Sequence, residues 1–186
     1  MADFSKAQAF VLTWEGGYCN DSGDPGGPTK YGVSLRWLRS VGLELGDIDG
    51  DGDIDIDDIR ALNVDQASEL FRLKFWVPAD LDMYLQQYAL IYYDSAVNTG
   101  PVQAAKIVQR AVNDVEGRKR LKVDGVLGTL SRAAVVEWQG GRDFWAACVN
   151  RREAFYKGLV ASKPQFAKFL KGWLNRTRAL RRAIEL

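Results

Sequence analysis

Seven of the twelve residues from 47 to 58, DIDGDGDIDIDD, are aspartates, and no other stretch constrains the fold as strongly. So many carboxylates so close together repel one another strongly, and unless something neutralises them the stretch is a solvated acidic loop. It also skews the charge. The chain balances 25 Lys and Arg against 24 Asp and Glu, yet residues 1–65 carry 13 acidic and 5 basic side chains. Residues 140–186 carry 3 acidic and 11 basic ones, a polarity that suits either a polyanion-facing surface or solvated helix faces. With 186 residues, 47% of them apolar, the chain is long enough for one domain with a real core. No run approaches the length of a spanning helix, and the start lacks the basic and apolar regions of a signal peptide. The chain has no histidine, which excludes a Ser-His-Asp triad, a Cys-His dyad and a histidine-ligated zinc. Cys19 and Cys148 cannot form a four-thiolate site; a disulfide between them is open, and free thiols are the expectation in a chain without an export signal.

The aspartates follow a register. Counting from Asp47 as one, Asp49 and Asp51 fall at three and five, Gly52 at six and Asp53 at seven. Ile54 then falls at eight, Asp55 at nine and Asp58 at twelve. An EF-hand-like calcium loop has this pattern, with alternate side chains converging on a hard cation that takes about six to eight oxygens. The expected metal set is Asp47, Asp49, Asp51, Asp53 and Asp58, with Asp53 giving its backbone carbonyl and Ile54 packing inward. Calcium (Ca2+) is the expected cofactor. Asp58 stands where Glu is usual, and its shorter arm implies modest affinity and tolerance of magnesium. Sensors pair such loops and expose methionine-rich grooves. One loop and two methionines fit a structural or gating role better.

Helical periodicity dominates elsewhere. Residues 4–15 space Phe4, Ala7, Val11 and Trp14 for a helix capped by Asp3 or Ser5 and stopped by Gly16-Gly17. Residues 18–33 are turn-forming and predict a loop or short irregular hairpin. Further helices are predicted over 34–42 with Ser34 as cap, 56–62, 65–75 with Asp65 as cap, and 82–97. Others follow from Pro101 and over 129–139, 143–160 and 164–184. The fold class is mainly α. Trp37, Trp138 and Trp145 read as core, while Trp76 before Pro78 reads as a rim residue.

Glu15 is the first candidate for chemistry. It ends a helix, where the dipole disfavours a carboxylate, and lies between Trp14 and Tyr18. Both features favour the protonated form that a general acid needs. Asp21 and Asp24 follow on the loop, and Thr29 adds a hydroxyl able to hold a water. Glycoside hydrolysis commonly uses two such carboxyls. A helix end followed by an Asp/Gly turn would look the same.

The segment EGGYCNDSGDPGGPTKYGVS resembles the signature of glycoside hydrolase family 108, the N-acetylmuramidases of phage endolysins and related secretion factors. Glu15, Gly16, Gly17, Tyr18, Asn20, Asp21, Asp24, Pro25, Gly26, Gly27, Thr29 and Gly32 match, and Val33 replaces the usual Ile. RALNVDQASELFRLKFW, YYDSAVNTGPVQAAKIVQRAV and VDGVLGTLSRAAV are similar to later stretches, the last with Thr129 for Pro and Ser131 for Thr. The resemblance covers most of residues 4–185, and the loop at 47–58 is an insertion relative to it.

The resemblance implies a lysozyme-like single domain over residues 1–186, whose residues 100–186 form a peptidoglycan-associated helical region. It implies cleavage of the β-1,4 bond between N-acetylmuramic acid and N-acetylglucosamine, with Glu15 as the catalytic glutamate. Asp24 is carried over as the second carboxylate with Asp21 its competitor, and Thr29 completes the catalytic set. Tyr18, Asp21, Tyr93 and Asn98 are the expected substrate contacts. For Tyr93 and Asn98, a core aromatic and a helix-end polar contact are the competing readings. The expected partner is the glycan strand of peptidoglycan, with no nucleic acid. The basic C-terminal helix, with Arg178, Arg181 and Arg182, would at most touch an anionic envelope weakly. A monomer is expected, held in the host cytoplasm until a holin or export route releases it to the periplasmic wall. A lytic transglycosylase and a non-catalytic calcium-dependent wall-binding protein are the alternatives.

Overall fold

Helices account for most of the described residues, 1–15 and 27–186 of the computed structural model. In chain order they are α1 (Phe4–Leu12), the strands β1 (Thr29–Lys30) and β2 (Val33–Ser34), α2 (Leu35–Ser40), α3 (Leu43–Gly46) and α4 (Ile56–Ala61). Then come α5 (Val64–Phe71), a π-helical turn (Arg72–Trp76), two 3-10 turns (Val77–Ala79 and Leu81–Met83), α6 (Gln86–Thr99) and α7 (Pro101–Val115). The chain closes with α8 (Thr129–Trp138), α9 (Arg142–Ser162), a 3-10 turn (Pro164–Phe166) and α10 (Ala167–Ala183). The mainly α class read from periodicity holds. No described helix is long and apolar enough to cross a membrane.

Local chemistry sets the boundaries. At α1, Asp3 rather than Ser5 is the cap, its Oδ1 accepting the Ser5 N–H at 2.9 Å. Ser34 caps α2 as expected, accepting from the Trp37 N–H at 3.3 Å. The predicted 34–42 helix is shorter than expected. Gly42 at φ +82 breaks it, and α3 follows as a separate turn leading into the acidic loop. For α5 the cap is Asn63, not Asp65. Asn63 and Gln66 form a capping box, with bonds of 2.9 and 3.0 Å. Pro101 occupies the first turn of α7, where a missing N–H leaves nothing unpaired.

The chain divides into two compact units. The first comprises Gln8–Lys74. Its core is Val11, Val33, Leu38, Ile59, Leu62, Leu70 and Phe71. The second comprises Met1–Ala7 with Phe75–Leu186. At its centre α6 is buried continuously from Tyr88 to Ala96 and packs against α7 and α9. Phe4, Trp76 and Tyr93 meet edge-on, with ring centroids 5.4–5.7 Å apart. Trp76 is fully buried and donates its indole N–H to Asp82 at 2.8 Å, so it is a core residue and not a rim one.

Within that α6 segment lies a buried ion network. Asp94 is fully buried and pairs with Arg152 of α9, and with Arg176 of α10 at 2.7–2.8 Å. Burial alone would raise the Asp94 carboxyl, but the two guanidiniums outweigh it and hold its pKa below the usual carboxylate value. Asp94→Asn leaves two buried cations without their counter-charge and should cost about 3–5 kcal/mol in urea unfolding. Because the folded pKa is depressed, this stabilisation is fully present above the unfolded value near pH 4 and is lost as pH falls through the folded one. The acid limb of the stability curve should therefore flatten in Asp94→Asn.

Candidate active site

α1 tightens before it ends. Trp14 N–H and Glu15 N–H both reach the Val11 carbonyl, at 2.9 and 3.2 Å, and this places the Glu15 side chain just past the helix, half-buried. The β1–β2 hairpin is what it meets. β1 and β2 are antiparallel, with Thr29 opposite Ser34 and Lys30 opposite Val33. The turn residues Tyr31 and Gly32 have φ of +51 and +80, the left-handed values that a type I′ turn demands of both central residues. A Cβ on Gly32 would lie 2.9 Å from Glu15 Oε2 and 3.0 Å from Phe71 Cζ. Only glycine lets the turn approach the carboxylate this closely.

The same unit braces the turn from behind. Phe71 stands edge-on to Trp37, with centroids 4.9 Å apart, and the Lys74 ammonium lies 4.0 Å over the Trp37 ring. Burial pushes the Lys74 pKa down. Thr29, on β1, is half-buried and donates its hydroxyl to the Gly27 carbonyl at 3.2 Å. The hairpin thus joins Thr29 to the turn that touches Glu15. Tyr18, Asp21 and Asp24 lie outside the described residues, as does Cys19. Cys148 is a buried free thiol whose pKa burial pushes far up.

The acidic loop folds around its own backbone amides. Asp47 accepts from the N–H groups of Gly50, Asp51 and Gly52 at 2.7–3.1 Å. Asp58, 1% exposed, ties the two ends together. It accepts from Ile48 and Asp55 N–H, both at 2.6 Å. Asp55 and Asp58 also form the capping box of α4. Ligand oxygens of Asp47, Asp49 and Asp58 lie within 4.8 Å of one another, and so do those of Asp53, Asp55 and Asp58. Asp51 is in neither trio; one of its oxygens accepts the Asp53 N–H at 3.1 Å. Asp55 therefore converges with the expected ligands through its side chain, and so does Asp53, from which only the carbonyl was expected. Gly52 at φ +97 makes the sharp turn. Ile54 packs inward as expected, its Cδ1 close against Gly46, while its carbonyl accepts from Arg39 Nε at 2.9 Å. The pKa of Asp53 is raised by the Asp51 charge and by desolvation, and that of Asp49 by desolvation and then Asp51.

The other unit holds Tyr93 and Asn98. Tyr93 is fully buried in the Phe4–Trp76 cluster, so it packs the core in place of the expected substrate contact. Asn98 is half-buried near the end of α6, and its Oδ1 accepts the Tyr156 hydroxyl at 2.5 Å. That hydroxyl in turn accepts from Arg152 Nε at 2.6 Å, and Arg152 pairs with Asp94. Sequence reasoning missed this relay. Asp94 stands in a motif stretch, but nothing local to Arg152 or Arg176 announces a carboxylate 58 or 82 residues away. The Asp124-Gly125 turn is structural. Gln109, 1% exposed, donates to Asp124 and to the Val126 carbonyl at 2.9 and 3.0 Å and accepts from Gly125 N–H at 3.0 Å.

Comparison with known proteins supplies the family. Residues 8–100 match the family described as "Glycosyl hydrolase 108", and residues 103–178 match the one described as "Predicted Peptidoglycan domain". No curated protein matches the chain. Among solved structures, that of Brucella abortus SagA is similar. It has a TM-score of 0.75 and 28% identity, over 98% of this chain and 94% of that one. The mainly α, lysozyme-like architecture is thus shared over nearly the whole length. The chain belongs to the glycosyl hydrolase 108 family and is a glycoside hydrolase acting on peptidoglycan.

Proposed function

We propose that the enzyme is an N-acetylmuramidase that cleaves the β-1,4 bond between N-acetylmuramic acid and N-acetylglucosamine, with Glu15 as general acid. The close seat of the Glu15 carboxylate against Gly32 carries this reading. A carboxyl at a helix end, with the Gly32 turn closing over one side, is held in a fixed place from which a proton can be aimed at a bound substrate. Glu15 protonates the glycosidic oxygen as the bond breaks. Asp24 or Asp21 activates water or stabilises the oxocarbenium-like charge, and Thr29 positions the water. Tyr18 stacks on a sugar ring. Asn98, whose Oδ1 is occupied by Tyr156, offers its amide donor to the glycan strand.

Glu15→Gln keeps the size and packing of the side chain but cannot deliver a proton. It should lower turnover on purified peptidoglycan by about 100-fold or more while leaving the unfolding midpoint close to that of the wild type. Normal turnover by the folded variant would remove Glu15 from the centre of the mechanism. Gly32→Ala should also impair activity. The added methyl strains a positive φ and displaces Glu15 or Phe71. We expect a drop of about tenfold in kcat, with a stability loss of about 1–2 kcal/mol. An unaltered kcat would mean that the turn does not seat the carboxylate.

We further propose that the loop at 47–58 binds calcium. Two carboxylate trios sharing Asp58 suit a hard cation, and the pairing of Arg39 with Ile54 couples the loop to α2. The cation neutralises the mutual repulsion and orders the unit that carries Glu15. Calcium should raise both the melting temperature and the turnover of the wild type. Asp47→Ala with Asp49→Ala should abolish both responses. Equal melting temperature and turnover in calcium and in chelator would contradict the assignment.

A further inference from the structure

The face formed by α7 and α9 carries a groove that takes no part in the chemistry above. Gln103, Arg110, Arg151, Phe155, Leu159 and Ser162 line it, and its volume is about 400 Å³. A second depression continues from it, shares Arg110 and Arg151, and adds Arg118, Lys119 and Asp114. Four cations thus face one carboxylate along the two. Their states differ. Arg151 is held by Asp114 through both Nε and Nη2. Arg118 lies 3.3 Å from Glu116. Arg110, at the junction, makes no ion pair or hydrogen bond to any described residue. Gln103 adds a side-chain Nε2 that is buried and has no hydrogen-bond partner among the described residues. Phe155 and Leu159 are half-buried and supply an apolar wall.

This combination selects its ligand by chemistry. A guanidinium with no partner among the described residues, at the meeting of two depressions, suits a carboxylate, which it grips through two parallel N–H bonds. The apolar wall, the amide and the Ser162 hydroxyl suit a short peptide better than a bare sugar or a phosphate chain. Peptidoglycan carries such a ligand, because its stem peptides bear several free carboxylates. Gln103 through Ser162 all fall within the segment matched to a peptidoglycan domain.

We infer that the α7–α9 groove binds the acidic stem peptide of peptidoglycan, with Arg110 as its carboxylate anchor. The inference rests on the peptidoglycan reading and deepens it, since it separates recognition of the peptide from cleavage of the glycan. The groove tethers the wall polymer by its peptides, and the tether raises the local concentration of glycan at the enzyme.

The test uses the full chain and the tripeptide L-alanyl-γ-D-glutamyl-diaminopimelic acid, followed by calorimetry or by chemical-shift mapping. We expect the tripeptide to bind, and Arg110→Ala to weaken binding by about tenfold or more. Arg110→Lys should restore part of the affinity, and amidation of the peptide carboxyls should mimic the alanine variant. On intact peptidoglycan, Arg110→Ala should raise KM with kcat unchanged, while on peptide-free glycan strands it should match the wild type. Equal tripeptide affinity in Arg110→Ala, or tighter binding of an oligonucleotide than of the tripeptide, overturns the inference. Wild type that cleaves peptidoglycan but ignores the tripeptide overturns the groove assignment and leaves the hydrolase reading standing. Wild type that binds the tripeptide through Arg110 yet cleaves no glycan supports the groove and overturns the hydrolase reading.

Discussion

The buried carboxylate of Asp94 is what the larger unit is built around. It sits inside α6 between the guanidiniums of Arg152 on α9 and Arg176 on α10, so three helices depend on one charge. Placing charges in a core is expensive, and only close pairing with good geometry offsets the loss of water. That cost gives the arrangement its selectivity, because a packing that separates the partners strands a naked ion. The network also joins the two family segments. Asp94 belongs to residues 8–100 and both arginines to 103–178. The peptidoglycan-associated segment is therefore part of the same packed unit as α6, and not a module appended to it.

From that network a hydrogen-bonded path runs outward through Tyr156 to Asn98. It leaves the Asn98 amide oriented by the core and not by solvent. The smaller unit solves a similar problem with backbone geometry. There the left-handed turn at Tyr31 and Gly32 removes the one atom that would keep the hairpin away from Glu15. In both units a polar side chain is held by something rigid behind it, Asn98 by an ion network and Glu15 by a glycine turn braced by Phe71.

Much of this was legible in the sequence, and the reasons are physical. Helical periodicity reports a buried face, and α7, α8, α9 and α10 fall close to where apolar spacing put them. Ile54 and Gly52 do what their register requires, because loop chemistry is local. The failures come where tertiary packing decides. Trp76 and Tyr93 carry no sign in their own neighbourhoods that Phe4, far back in the chain, closes over them. The caps at Asn63 and Asp3 each had a near-equal competitor two residues away, Asp65 and Ser5. Asp55 moved into a carboxylate trio because it also caps α4, a role that depends on where that helix starts. That Arg110 has no partner among the described residues is visible only when its surroundings are known, since an unpaired arginine and a paired one read alike in a sequence.

The proposed reaction is hydrolysis of the glycan, with protonation by Glu15 and attack by water. Digestion of purified peptidoglycan in water enriched in oxygen-18, followed by mass spectrometry of the fragments, tests it most directly. The account predicts reducing N-acetylmuramic acid ends that carry one heavy oxygen. Ends that carry no new oxygen, as in an internal anhydro sugar, would contradict it.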